Sequence, residues 1–581
     1  MRRFVAFLPL ALLAACATVP SGAPVSAPAG PQEVQILAIN DFHGNLEPPG
    51  LAYEGSKGKV PVGGAAYLAT ALKSVRTTAS ITVAAGDLIS ASPLISSLYY
   101  DEPTVKALSD SGLALAAVGN HEFDRGPAEL KRMQAGGCRE KQERETRQSC
   151  ALEPFAGAGF QYLAANVLEG GDTILPSTAI RDIGGVRIGF IGMTLKATGT
   201  LVSPDGVRGL TFLDEAATAN ALVPYLKENG ARAIVLLIHE GASTDGKFDD
   251  PTCPGLAGDL MPILARLDPA IDLVVSGHTH QAYICRVPAG GGAAERLLTS
   301  AGRYGALVTD IRLTFAPDGT LAAKRAEFVP VQGEAIANAR VQAPLNPAYP
   351  VYAADPGVAA LVARYKAAAA VVADRPVGKL AGPLEKGGNA GEESQAAAFI
   401  ADGQLFIARD PARGAADFAL MNNGGARTDL IPAADGTVTY GQIFALQPFA
   451  NNLVTLSLTG AEVKALLEQQ FDSGSNTAAK PNLLMPSANV RVTFDRSRPA
   501  GQRVLSILLD GKPLDPARTY RVTVNNFLAS GGDNFTLLAK GTSPADGGLD
   551  LDATEAYLKA GAKVPEKGRV VDLTPEGWTA E

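Results

Sequence analysis

The five histidines of this chain each follow an apolar, strand-like run with at most four residues between, and none stands elsewhere among the 581 residues. His43 follows the run 34–39, His121 the run 113–118, His239 the run 233–238, and His278 and His280 the run 271–275. Asp41 also follows the first run, Asp87 follows the run 81–85, and Asn120 and Asp124 flank His121. Residues 186–191 form a further strand-like run. Between the runs lie stretches with helical spacing at 64–75, 104–111, 214–229 and 256–267. This alternation predicts a layered α/β domain from residue 34 to about residue 328. Ligands of open α/β sheets bind beyond the carboxyl ends of the strands. The pattern therefore puts every one of these polar side chains on one edge of a sheet.

Asp, Asn and His are the donors that two neighbouring divalent ions need, one carboxylate bridging them. Asp87, in Ala-Gly-Asp-Leu, is the candidate bridge, with Gly86 allowing a close backbone approach. Asp41/His43 and His278/His280 are i, i+2 pairs, which leave an extended segment on one side. The inventory suits a metal-dependent hydrolase. A net charge of -8 gives no basic face for duplex nucleic acid. It does not exclude a small anionic substrate, because bound metal ions set the local potential.

The chain is too long for one core, since single cores stop growing at about 250–300 residues. Residues 1–16 read as a targeting segment: a basic Met1-Arg2-Arg3, an apolar run too short to span a bilayer, then Leu13-Ala14-Ala15-Cys16. This resembles a bacterial lipoprotein signal with Cys16 as the lipidated residue; the alternative is an ordinary secretory signal. Ala17, rather than Asp, is compatible with outer-membrane sorting. Residues 17–32 form a flexible tether rich in Ala, Pro, Ser and Gly. Export places Cys138, Cys150, Cys253 and Cys285 in an oxidising compartment, where an even count suggests two disulfides. Three pairings exist. We favour Cys138–Cys150, closing a charged insertion, and Cys253–Cys285, clamping the segment around His278; free buried thiols are the alternative. A helix is expected at 355–373 between the two domains. The second domain has a helix at 395–408 and strands at 455–458 and 520–524.

Taken together, Asn40-Asp41-Phe42-His43-Gly44, Gly86-Asp87, Gly119-Asn120-His121-Glu122, His239 and Gly277-His278-Thr279-His280 resemble the calcineurin-like metallophosphoesterase signature. Over nearly its whole mature length the chain is similar to the secreted bacterial 5′-nucleotidase and UDP-sugar hydrolase family. The resemblance implies a two-domain α/β protein. A four-layer αββα metallophosphoesterase sandwich would occupy residues 33–332, a linker with its helix 333–375, and an α/β substrate-binding domain 376–575. It implies one divalent ion (Zn, Mn or Co) on Asp41, His43, Asp87 and His280, and another on Asp87, Asn120, His239 and His278. Many relatives carry Gln where His280 stands. His121 takes the place of the catalytic histidine and Asp124 of its orienting carboxylate. In the second domain Asn422, Gly424 and Arg427 match a Gly-rich phosphate loop. Phe449 and Phe527 match two rings that sandwich a nucleobase, and Asp533 matches a ribose contact.

The implied activity is release of phosphate from extracytoplasmic 5′-nucleotides by in-line attack of metal-bound hydroxide. UDP-sugar diphosphatase and 2′,3′-cyclic-nucleotide phosphodiesterase activities are alternatives on the same fold, and an inactive nucleotide-binding lipoprotein is a remote one. Partners would be a nucleotide or nucleotide sugar, and a membrane through the lipid anchor only, at the periplasm or cell surface. The oligomeric state stays open. The resemblance also implies rotation between the domains. One departure stands out. Where relatives place phosphate-binding arginines this chain has Gly391-Glu392-Glu393-Ser394, and the loop after His43 has Asn45. That leaves Arg427 and the ions to grip phosphate, and makes a diester or a diphosphate sugar an alternative substrate.

Overall fold

The computed structural model describes residues 30–140, 147–202, 206–290, 295–337, 341–449 and 451–579. Cys16, the targeting segment and most of the tether lie outside them. Strands β1 (Gln32–Ile39), β2 (Ser80–Ala85), β3 (Leu115–Ala117) and β4 (Gln161–Leu163) run parallel. A second sheet holds β5 (Thr178–Ile183), β6 (Val186–Thr194), β7 (Ala233–His239), β8 (Ile271–Ser276), β9 (Ala282–Pro288) and β10 (Glu295–Ala301), in the order β9-β10-β8-β7-β6-β5. The chain then returns to the first sheet with β11 (Leu307–Phe315) and β12 (Leu321–Pro330), giving β12-β11-β1-β2-β3-β4. The site residues therefore leave two sheets rather than one edge of a single sheet. Hydrophobic runs cannot tell these cases apart, because strands buried on both faces look alike in either.

Side-chain alternation builds the layers. Val34, Ile36 and Ala38 of β1 pack with Ile188, Val235, Leu237 and Val275 of the other sheet. Leu37 and Ile39 point the other way, onto Leu68 and Leu72 of helix α1 (Ala65–Val75) and toward α2 (Glu102–Asp110). Ile234, Leu236 and Ile238 do the same on the far side, against α3 (Glu215–Glu228) and α4 (Leu260–Arg266). The result is an αββα sandwich. Asp214 caps α3 by accepting from Ala217 N–H at 2.9 Å. The wholly buried Arg296 donates to the carbonyls of Leu264 and Asp268 near the end of α4, which satisfies orphan acceptors there.

The helix α5 (Pro356–Ala373) starts where Asp355 accepts from Gly357 and Val358 N–H, with Pro356 at its first position. Its Val358, Leu361, Tyr365 and Ala369 are buried, and Tyr365 meets Tyr99 edge-on at 4.9 Å. One apolar cluster thus continues from Leu68 through Tyr365 to Phe399 and Val522. Beyond it lie α6 (Gln395–Ala408) and strands β13 (Phe418–Asn422), β14 (Asn452–Thr459), β15 (Leu484–Pro486), β16 (Thr519–Asn525) and β17 (Thr542–Leu549), ordered β15-β13-β16-β14-β17. The structure joins Cys138 to Cys150 and Cys253 to Cys285, with Cα atoms 5.5 and 5.9 Å apart.

Candidate dimetal centre

The ends of β1 and β2 keep pairing past the last strand residue: Asp41 N–H donates to Gly86 O, and His43 N–H to Asp87 O, both at 3.0 Å. Two loops are thereby locked side by side. Five of the seven candidate ligands take positive φ: Asp41 (49°), His43 (45°), Asp87 (52°), His278 (70°) and His280 (59°). Each such residue costs about 1 kcal/mol or more, and strain of this kind gathers at functional sites. Gly119 shows how tight the packing is. A Cβ there would lie 2.2 Å from Asp87 Oδ1.

Glu122 holds these loops. Its buried carboxylate accepts from the N–H groups of Asp87 (2.9 Å), Leu88 (2.8 Å) and Gly119 (2.6 Å). The sequence displayed Glu122 inside the Gly-Asn-His-Glu run, but its targets are backbone atoms, which leave no mark in a sequence. Glu122→Ala is expected to weaken metal binding about 10- to 100-fold, as loss of an outer-shell partner does. Metal titration checks this, and an unchanged affinity would remove Glu122 from the role.

The donor atoms form two groups, Asp41/His43/His280 and Asp87/His239/His278. His239 Nδ1 lies 2.7 Å from Ala85 O and His43 Nδ1 3.0 Å from Ser90 O. A carbonyl only accepts, so both rings carry their proton on Nδ1 and turn Nε2 inward. His239 Nε2 is buried without a hydrogen-bond partner. Asp87 Oδ2 stands 3.0 Å from it and 3.5 Å from His43 Nε2, so one oxygen faces both groups. His280 Nε2 is 3.1 Å from His43 Nε2 and 3.4 Å from Asp41 Oδ1. Asn120 Oδ1 is 3.1 Å from His278 Nδ1, which brings Asn120 to the second group. Burial holds His43 and His280 well below the usual imidazole range and lowers His278 to about 3, which favours the neutral rings that ligands need. At His239 the neighbouring Asp87 outweighs burial and raises the imidazole to about 10. Burial alone would raise the Asp87 carboxyl, but His239 and His121 outweigh it and keep it well below the carboxylate range. These N and O donors, with an orphaned imidazole nitrogen and a shared carboxylate oxygen, fit two borderline divalent ions.

His121 stands beside the groups. Its backbone N–H donates to Asp87 Oδ1 at 2.9 Å, and its Nδ1 is 2.8 Å from Asp124 Oδ2. Burial would lower this imidazole; Asp124 and Asp87 outweigh that and raise it, favouring the protonated ring. Its face stacks on Phe449 from the second domain, with centroids 5.9 Å apart. A cavity of about 340 Å³ opens here, lined by His121, Asp124, Asn422, Arg427, Phe449 and Phe527, with Gly424 and Asp533 at its wall. Asp533 accepts from Asn422 Nδ2 at 2.7 Å, and burial raises its carboxyl. The structure thus places the candidate catalytic and second-domain residues on one cleft between the domains, with the two candidate donor groups reaching it through Asn120 and His278. Arg303, which no motif marked, adds a cation whose Nη1 is 3.5 Å from His280 Nδ1.

Residues 34–282 match the family described as calcineurin-like phosphoesterase, and residues 376–540 match 5′-nucleotidase, C-terminal domain. Across 96% of its length the chain is 30% identical to cell wall protein Lmo0130 of Listeria monocytogenes, covering 70% of that protein. It is 29% identical over 91% of its length to endonuclease YhcR of Bacillus subtilis, but spans only 40% of that protein. The crystal structure of a 5′-nucleotidase precursor from Thermus thermophilus matches with a TM-score of 0.74 at 27% identity, covering 93% of this chain and 99% of that one.

Proposed function

Because this chain belongs to the 5′-nucleotidase family, joining a calcineurin-like phosphoesterase domain to a 5′-nucleotidase C-terminal domain, we propose that it is a metal-dependent phosphohydrolase of nucleotides. The observation that carries this reading is the buried Asp87 oxygen facing both donor groups, beneath a cavity that Asn120, His121 and His278 line together with Phe449 and Phe527. One ion would be held by Asp41, His43, Asp87 and His280, and the other by Asp87, Asn120, His239 and His278. Two bound divalent ions supply Lewis-acid activation of water and neutralise charge on the phosphoryl oxygens.

The chain's own residues do the rest. Asp124 fixes the tautomer and orientation of His121, and protonated His121 gives its proton to the leaving alkoxide. Phe449 and Phe527 offer apolar faces to a base, Asp533 accepts from ribose hydroxyls, and Asn422, Gly424 and Arg427 meet phosphate. We assign metal binding to residues 33–332, the connecting helix to 333–375 and substrate binding to 376–575. Purified protein supplied with Mn²⁺, Zn²⁺ or Co²⁺ is expected to hydrolyse AMP, and chelation to abolish it. Inactivity across 5′-nucleotides, cyclic nucleotides and UDP-sugars would overturn the reading.

We also infer export, supported by the two disulfides and by the cell-wall location in a relative's name. Cys16 would carry the lipid anchor, at the periplasmic or outer surface. Cys16→Ala is then expected to lose labelled-palmitate incorporation and leave the membrane fraction. A variant that keeps both would refute the anchor.

A further inference from the structure

The segment 391–394, which carries no arginine, is occupied by internal work. Glu392 accepts from Gly388 N–H at 2.8 Å and Asn389 Nδ2 at 2.6 Å, folding its own loop. Glu393 accepts from the N–H groups of Gly568 and Arg569 at 2.7 and 2.8 Å. Neither carboxylate is turned on the cations of the cleft.

Arg427 stands in the cleft, and two further cations, Arg303 and Lys386, stand close enough to repel it or each other. Arg427 lines the cavity, its guanidinium carbon 5.7 Å from the centre of the Phe449 ring that stacks on His121. Arg303, on the loop between β10 and β11, stands on the opposite domain beside His280 and 5.1 Å over the Tyr304 ring. The backbone at Lys386 is joined to the segment that follows Arg427. Leu384 and Leu430 exchange backbone hydrogen bonds at 2.9 and 3.1 Å, and Lys386 N–H donates to Asp429 Oδ1 at 2.8 Å. Burial, then repulsion by Arg427 and Arg303, pushes the Lys386 ammonium down to about 7. Among the described residues none of these three side chains forms an ion pair with a carboxylate. Like charges gathered in a half-buried cleft without a counter-ion are unfavourable, and an anion placed among them reverses the sign of that energy. The Arg303 contact to His280 fits this. An imidazole that ligates a metal through Nε2 carries its proton on Nδ1, so it cannot accept from Arg303. The guanidinium is then left free for an anion.

We propose that Arg303, Lys386 and Arg427 form a cation pocket for the doubly charged terminal phosphate of a phosphomonoester, so that the centre selects monoesters over singly charged diesters. This rests on the phosphohydrolase reading above. It also reverses the substrate preference suggested by the missing arginines alone, because two cations distant in sequence take their place.

The test compares kcat/KM for AMP and for 2′,3′-cyclic AMP in the Mn²⁺-loaded parent, Arg303→Met, Lys386→Met and the double variant. A charge-assisted contact made only by the dianion predicts a monoester-to-diester ratio about 10- to 100-fold lower in each single variant. Lys386→Arg should hold the parental ratio. Each Met variant removes a cation that its neighbours repel, so melting temperatures should not fall. Independently, calorimetry with inorganic phosphate on chelator-treated protein should show binding at least about 10-fold weaker in each Met variant. An unchanged ratio with unchanged phosphate affinity overturns the pocket. So does equal loss of both esters with a lower melting temperature, which marks a structural role. If the parent hydrolyses neither ester, the phosphohydrolase reading fails. Phosphate calorimetry then decides the pocket alone: weaker binding in the variants supports it and undiminished binding overturns it.

Discussion

Alanine at position 87 is expected to empty both metal positions together. Asp87 is 2% exposed, and its Oδ2 stands 3.0 Å from His239 Nε2 and 3.5 Å from His43 Nε2. Among the described residues no other side chain faces the nitrogens of both groups through a single oxygen. Two neighbouring divalent ions would repel each other, and a shared carboxylate would offset that repulsion. Its Oδ1 also receives the His121 N–H at 2.9 Å, so the same substitution frees the backbone that carries the His121 imidazole. Metal stabilisation of a transition state is worth several kcal/mol, and each ~1.36 kcal/mol is a factor of ten. Hydrolysis of AMP by Asp87→Ala should therefore fall by about three orders of magnitude or more. Elemental analysis of dialysed protein should read neither ion at its parental level. Asp87→Asn, which keeps the shape and removes the charge, should lose metal as well. Retention of one full equivalent in either variant would show that the two groups bind independently and that Asp87 serves only one.

The candidate donor groups were legible because they are written in rare residues at regular places. Each histidine follows an apolar run, and parallel strands deliver the residues just past their carboxyl ends to one end of the layer. The same reading could not count the sheets. Runs such as β7 and β8 are buried on both faces whether they share a sheet with β1 or stack against it, and only the packing of Val34 and Ile36 on Val235 and Leu237 decides. Glu122 lay in plain view, but its partners are amide groups whose position depends on how two loops pair. Arg303 and Lys386 lie further still from what a sequence shows. They sit on different domains, and α5 and the docking of one core on the other bring them together. A lone Lys after a Leu-Glu pair, or an Arg between Gly302 and Tyr304, is indistinguishable in sequence from a solvated surface charge. The contrast has a physical basis. Ligands for metals are set by local strand ends, whereas the charge balance of a cleft is set by long-range docking.

His121→Ala should leave both metal ions in place and still lower kcat on AMP by about 10²- to 10⁴-fold, the usual worth of a positioned general acid. The imidazole is suited to that task. It is raised above its ordinary range despite burial because Asp124 lies 2.8 Å from Nδ1 and Asp87 is close by. The imidazoles of the first donor group, His43 and His280, are pushed the opposite way and stay neutral. In the second donor group burial lowers His278 to about 3, whereas Asp87 outweighs burial at His239 and raises it to about 10. What would set His121 apart is therefore its partner Asp124 and its place on the cavity wall rather than the direction of its shift. The leaving group provides the discriminating measurement. A ribose alkoxide needs a proton as the ester bond breaks, whereas p-nitrophenolate departs readily without one. The loss for His121→Ala should be far smaller on p-nitrophenyl phosphate than on AMP, and Asp124→Asn should show the same pattern more weakly. His121 also stacks on Phe449, so KM for AMP should rise in the alanine variant, and kcat is the parameter to compare. Equal losses on both esters would reassign His121 to stabilising charge on the phosphoryl group. Full turnover by His121→Ala would remove it from the chemistry altogether and leave the stacked imidazole as a wall of the base pocket.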